Sequence, residues 1–185
     1  MSLRELPENY RPCGKIDLVG TRRAALCLHG SAMLIAAAMV LIALRGDHMR
    51  APLWAWALAC AGYLAYIALH EWTHALIMYL FSGEKPRFGF EGGCAFAGAA
   101  AWFNRGQYAL IALAPLLIWG AILWAACARF PAAFWPLYAL QIGNVSGSVG
   151  DLYCAARMIS LPRGAMIQDS GTRMAVHAPA QDGEL

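Results

Sequence analysis

The sequence predicts an all-α integral membrane protein of four transmembrane helices, with room for a short β-hairpin between helices 2 and 3. Three observations carry this. The 185 residues are 60% hydrophobic and only 14% charged, too few charges to cover a soluble domain of this length. The apolar residues come in long blocks and not in amphipathic stripes. Of the eleven Asp and Glu residues, only Glu71 and Asp151 fall inside those blocks.

Residues 1–23 are polar and mixed in charge, and read as a cytosolic N-terminal tail. They are too long and too acidic for the start of a signal peptide, so the block that follows is a retained helix. That block, 24–44, spans about 32 Å as a helix, against a hydrocarbon core of about 30 Å. A polar loop from Arg45 to Arg50 follows.

Helix 2 is expected over 52–81, with Pro52 in its first turn and the Ser82-Gly83-Glu84-Lys85-Pro86 stop after it. From Pro86 to Gln107, two short alternating runs flank Glu91-Gly92-Gly93. A β-hairpin and an ordinary interfacial loop fit this segment equally well. Helix 3 is expected over 108–128, with a kink at Pro115, and helix 4 over 131–160, made less regular by Pro136, Gly143, Gly147 and Gly150. The membrane domain is therefore 24–160. The segment 163–185 shows little periodicity and reads as a partly disordered cytosolic tail, in which Ile167 to Gly171 can pack locally.

Orientation follows from Lys and Arg in the short flanks. Eleven lie on the side of the termini and three, Arg45, Arg50 and Arg129, on the other. Both termini are therefore expected in the cytoplasm of a multi-pass inner-membrane protein. The net charge is only +3 and no basic run exists, which excludes nucleic acid as a partner. The six cysteines form no CxxC pair and read as free thiols.

Chemistry concentrates in His70-Glu71-Trp72-Thr73-His74, an HExxH motif inside helix 2. Residues four apart stack on one helix face, so both imidazoles can meet one Zn²⁺. Glu71 lies beside that face and can reach a water on the metal as acid/base. Chance gives roughly 0.004 such motifs in a chain of this composition. Ionisable groups at membrane depth cost about 2.5 to 3.5 kcal/mol or more, so they demand partners.

A third ligand is needed, and Asp151 is the other acid at depth. His70 lies about 27 Å along its helix from the outer face and Asp151 about 30 Å along its own, so the two reach similar depths near the cytosolic side. The competing reading pairs Asp151 with Arg157. Asn144 and Ser148 share a helical face with Asp151. Asn144 can stabilise an oxyanion, or simply bond another helix. His29 fits an interfacial position better than one beside the metal.

These residues carry a resemblance. HExxH on one membrane helix with Asn and Asp on a later one resembles the site-2 proteases. The run His70 to Leu76, Ala114-Pro115-Leu116 and Asn144 to Asp151 is closer still to a small bacterial family of zincin membrane peptidases. The resemblance implies zinc on His70, His74 and Asp151, with Glu71 catalytic. It also implies that the extended segment after HExxH pairs with an unwound substrate, so that Phe88, Phe90 and Phe96 contact it; Ser148, on the face of Asp151, is a further candidate contact. Site-2 proteases usually carry Pro between the Asn and the Asp, and an Asp-Gly pair; here Gly150-Asp151-Leu152 stands without either.

The expected function is zinc-dependent hydrolysis of peptide bonds in membrane-spanning or membrane-proximal substrates. The alternative is a non-proteolytic membrane zinc-binding scaffold, paired with a membrane subunit or with itself.

Overall fold

The computed structural model describes residues 2–18, 20–46, 51–91 and 94–180. Its order is β1 (Tyr10–Asp17), α1 (Arg22–Ala43), α2 (Leu53–Ser82), β2 (Arg87–Glu91), β3 (Cys94–Gly98), β4 (Trp102–Asn104), α3 (Arg105–Arg129), α4 (Phe134–Gly147), α5 (Val149–Ser160), β5 (Met166–Asp169) and β6 (Arg173–Pro179). The protein is mostly helical. Helices α1, α2 and α3 are each long and apolar enough to cross a membrane.

Local chemistry sets the helix ends. Thr21 caps α1 by accepting the Ala24 amide at 3.1 Å. Helix α2 stops at Gly83, whose φ of 70° is left-handed and suits glycine, and the Gly83 amide bonds back to the Tyr79 carbonyl. Asn104 and Gln107 form a reciprocal capping box that starts α3 three residues earlier than expected, at Arg105.

The fourth apolar block is not the single helix expected over 131–160. A 3₁₀ turn over Pro131–Ala133 leads into α4, and the chain breaks at Ser148 before α5. Ser148 departs from helical dihedrals with φ −82° and ψ 13°, although its amide still bonds the Asn144 carbonyl at 3.2 Å, and its hydroxyl donates to the same carbonyl at 2.8 Å. At 14 and 12 residues, α4 and α5 are each shorter than the about 20 residues one span needs.

The fold is also not all-α, and the tails are not loose. Strands β1, β6, β5 and β4 form a four-stranded antiparallel sheet in that order. Its inner face buries Phe103, Ile167, Val176 and Met174 against Met78 of α2 and Ile111 of α3. The signal was present: Met174, Val176 and Ala178 alternate with more exposed neighbours along β6. Three buried positions form too short a run to announce a strand without knowing what it packs on.

Strands β2 and β3 pair antiparallel between α2 and α3, Phe88 opposite Ala97 and Phe90 opposite Ala95. Gly92 and Gly93 of the expected turn lie outside the described residues, as do 47–50 of the loop after helix 1 and the last five residues of the tail.

Candidate metal centre

Helix α2 carries both histidines inward, one turn apart. The side chains of His70 and His74 are only 12% and 10% exposed, and that of Asp151 is 24% exposed. Asp151 arrives from the first turn of α5. The Nε2 atoms of His70 and His74 are 3.2 Å apart. Asp151 Oδ2 is 3.2 Å from His70 Nε2, and Oδ1 is 3.4 Å from His74 Nε2.

These separations test the fit of a metal. Tetrahedral zinc with ligands at about 2.0 to 2.1 Å places its donors about 3.3 Å apart. The two imidazole nitrogens and one carboxylate therefore stand where three zinc donors belong, and their ligand atoms lie within 4.8 Å of one another. Two imidazoles and a carboxylate, with room for a fourth position, are the donors of an open, reactive zinc site.

Both histidines are held from behind. His74 Nδ1 donates to the Ile111 carbonyl at 2.8 Å. His70 Nδ1 lies 3.0 Å from the Tyr66 hydroxyl, which in turn donates to Asn144 Oδ1 at 2.7 Å. The Tyr66 contact was not foreseen, although Tyr66, His70 and His74 share the four-residue spacing of one helix face.

Glu71 lines the same cavity, about 140 Å³ in volume, with His70, His74 and Asp151. The Ala97 backbone amide of β3 is directed at the Glu71 carboxylate. Asp169, which the sequence did not single out, reaches the cavity from β5. Its carboxylate accepts the Tyr108 hydroxyl at 2.6 Å and the Gly171 amide at 2.7 Å. Burial pushes its pKa up to about 7, against those two hydrogen bonds.

The remaining sequence candidates separate. Asn144 is fully buried, and its amide nitrogen already faces Leu116 O at 3.2 Å and Gln141 Oε1 at 3.4 Å. Both amide protons are thereby directed at protein acceptors. Ser148 is likewise buried with its hydroxyl turned to the backbone. Phe88 and Phe90 share one face of the hairpin and are 55% and 74% exposed. Phe96 points to the other face, into the cavity, and packs against Gly89 and Gly171. His29 is exposed on α1, and Asp151 pairs with the histidines.

An HExxH helix completed by a carboxylate from a second helix defines a zincin-type metal centre. The chain belongs to the family described as "Putative zincin peptidase", whose model matches residues 63–166 and so takes in HExxH, Asn144 and Asp151. Membership implies zinc, and the His70–His74–Asp151 group can hold it. No curated protein and no solved structure matches the chain.

Proposed function

We propose that the protein is a zinc-dependent peptidase embedded in the membrane, hydrolysing peptide bonds of membrane-spanning or membrane-proximal substrates. The observation that carries this reading is the convergence of His70, His74 and Asp151 at zinc-donor spacing with Glu71 in the same cavity. His70, His74 and Asp151 would hold the ion, which when bound supplies Lewis acidity: it polarises a carbonyl and makes a neighbouring water acidic near neutral pH. Glu71 takes the proton of the attacking water on its carboxylate and passes it to the leaving amine. The Ala97 amide lies beside that carboxylate.

The edge of β3 runs past Glu71, which supports strand addition by a locally unwound substrate along Cys94–Gly98. Phe96 then walls the site, while Phe88 and Phe90 meet lipid or the flank of the substrate. In this respect the site is like that of the site-2 proteases.

Four crossings are the reading the lengths support, with α4 and α5 together making the last. The pairing of β1 with β6 brings the two ends of the chain to one side. The excess of Lys and Arg on that side supports its being the cytoplasm.

One observation favours the rival. The cavity that Glu71 shares with His70, His74 and Asp151 is about 140 Å³, smaller than the roughly 300–1,000 Å³ of most ligand pockets. A zinc-binding scaffold would need no larger space. The two readings separate on a panel of single-span peptides offered to the wild type and to Glu71→Gln in bilayer discs. Cleavage by the wild type alone supports the peptidase. Cleavage by neither favours the scaffold, and equal cleavage by both ends the role given to Glu71.

A further inference from the structure

A histidine offers Nε2 to a metal only when its proton sits on Nδ1, and each ligand here has an acceptor built for that proton. For His74 the acceptor is the Ile111 carbonyl, 2.8 Å away. In a regular helix that oxygen accepts the amide proton of the residue four positions on. That residue is Pro115, buried within α3, and proline has no amide proton. The break in the α3 ladder therefore leaves the Ile111 carbonyl open to α2.

For His70 the acceptor is the Tyr66 oxygen, and Asn144 decides this. The Asn144 nitrogen faces two carbonyl-type acceptors, Leu116 O and Gln141 Oε1. Its oxygen therefore faces Tyr66, at 2.7 Å. An amide oxygen cannot donate, so the single Tyr66 hydroxyl proton goes to Asn144. The Tyr66 oxygen is left to accept from His70 Nδ1, 3.0 Å away. Gly120 makes room for this arrangement: a Cβ there would lie 3.2 Å from the Asn144 nitrogen.

We infer that Pro115 and the Tyr66–Asn144 pair are positioning residues that hold His74 and His70 in the Nδ1-protonated form, with both Nε2 lone pairs turned to the zinc position. The inference rests on the reading of His70, His74 and Asp151 as the zinc site. It gives Asn144 a place behind the ligands and not on the substrate.

The test is Zn²⁺ affinity of the full chain in bilayer discs, by chelator competition, for wild type, Pro115→Ala, Tyr66→Phe and His74→Ala. Residues that orient metal ligands typically change affinity about 10- to 100-fold, and a loss in that range is expected for Tyr66→Phe and near its lower end for Pro115→Ala. The melting point of metal-free Pro115→Ala should equal or exceed that of the wild type, because alanine restores the helical bond. A proline with a merely structural role would show the reverse pattern.

Wild-type affinity in either variant, with binding lost in His74→Ala, removes that arm of the inference and leaves the zinc site standing. No zinc uptake by the wild type overturns the site itself. Should a variant fail to fold, ¹⁵N resonances of the histidines in the zinc-loaded wild type decide. Protonated Nδ1 on both His70 and His74 upholds the inference, and Nδ1 ligation by either overturns it.

Discussion

The Tyr108 hydroxyl donates to the Asp169 carboxylate across 2.6 Å, joining the first turns of α3 to strand β5. Both side chains are buried, at 3% and 5% exposure. Through this bond the C-terminal sheet forms one wall of the metal cavity.

The buried Asp169 predicts a pH dependence of stability. Its folded pKa of about 7 lies above its ordinary value of 3.8, so the native state holds a proton that the unfolded chain releases. The associated stability is fully present below about pH 4 and is lost as pH rises through 7. Melting of the metal-free protein should fall between pH 5 and pH 8. Asp169→Asn should flatten that slope, and an unchanged slope in the variant would refute the assignment.

Gly98, at the end of β3, is pressed against the β5–β6 turn. A Cβ there would lie 2.9 Å from the Asp169 carbonyl oxygen and 3.0 Å from the Gly171 nitrogen, both backbone atoms that cannot swing aside. Gly98→Ala should therefore cost about 1–3 kcal/mol by overpacking. Thermal or denaturant unfolding in micelles measures this. A neutral result would mean the hairpin does not sit against the turn.

The metal site predicts graded losses. Removing His74 or Asp151 takes away a direct zinc donor, so His74→Ala and Asp151→Ala should each bind zinc at least about 100-fold more weakly, beyond the range of second-sphere changes. Chelator competition with metal analysis reads this out. Full affinity in Asp151→Ala would exclude the carboxylate from the site.

The C-terminal segment is part of the fold and not an appendage. Ile167 and Val176 are 0% and 1% exposed, and each such side chain contributes about 1.5–3 kcal/mol on burial. A chain ended after Leu161 should misfold or be degraded in the membrane, as limited proteolysis would show. A stable, zinc-binding truncation would contradict the packing described.

The sequence by itself determined the apolar helices and the chemistry of the HExxH turn. Helical spacing alone puts His70 and His74 on one face, and the cost of a buried acid singles out Glu71 and Asp151. Those are local or compositional properties, and the chain carries them openly.

Only the tertiary structure decided the rest. Tyr66 and Asn144 are 78 residues apart in the chain, and Tyr108 and Asp169 are 61 apart. No periodicity encodes such a distance. The meeting of Asp151 with the two histidines, and the sheet that unites both ends of the chain, arise from packing between segments. Pro115 shows the boundary most clearly. Its missing amide proton is written in the sequence, but which side chain uses the freed carbonyl depended on α2 and α3 coming together.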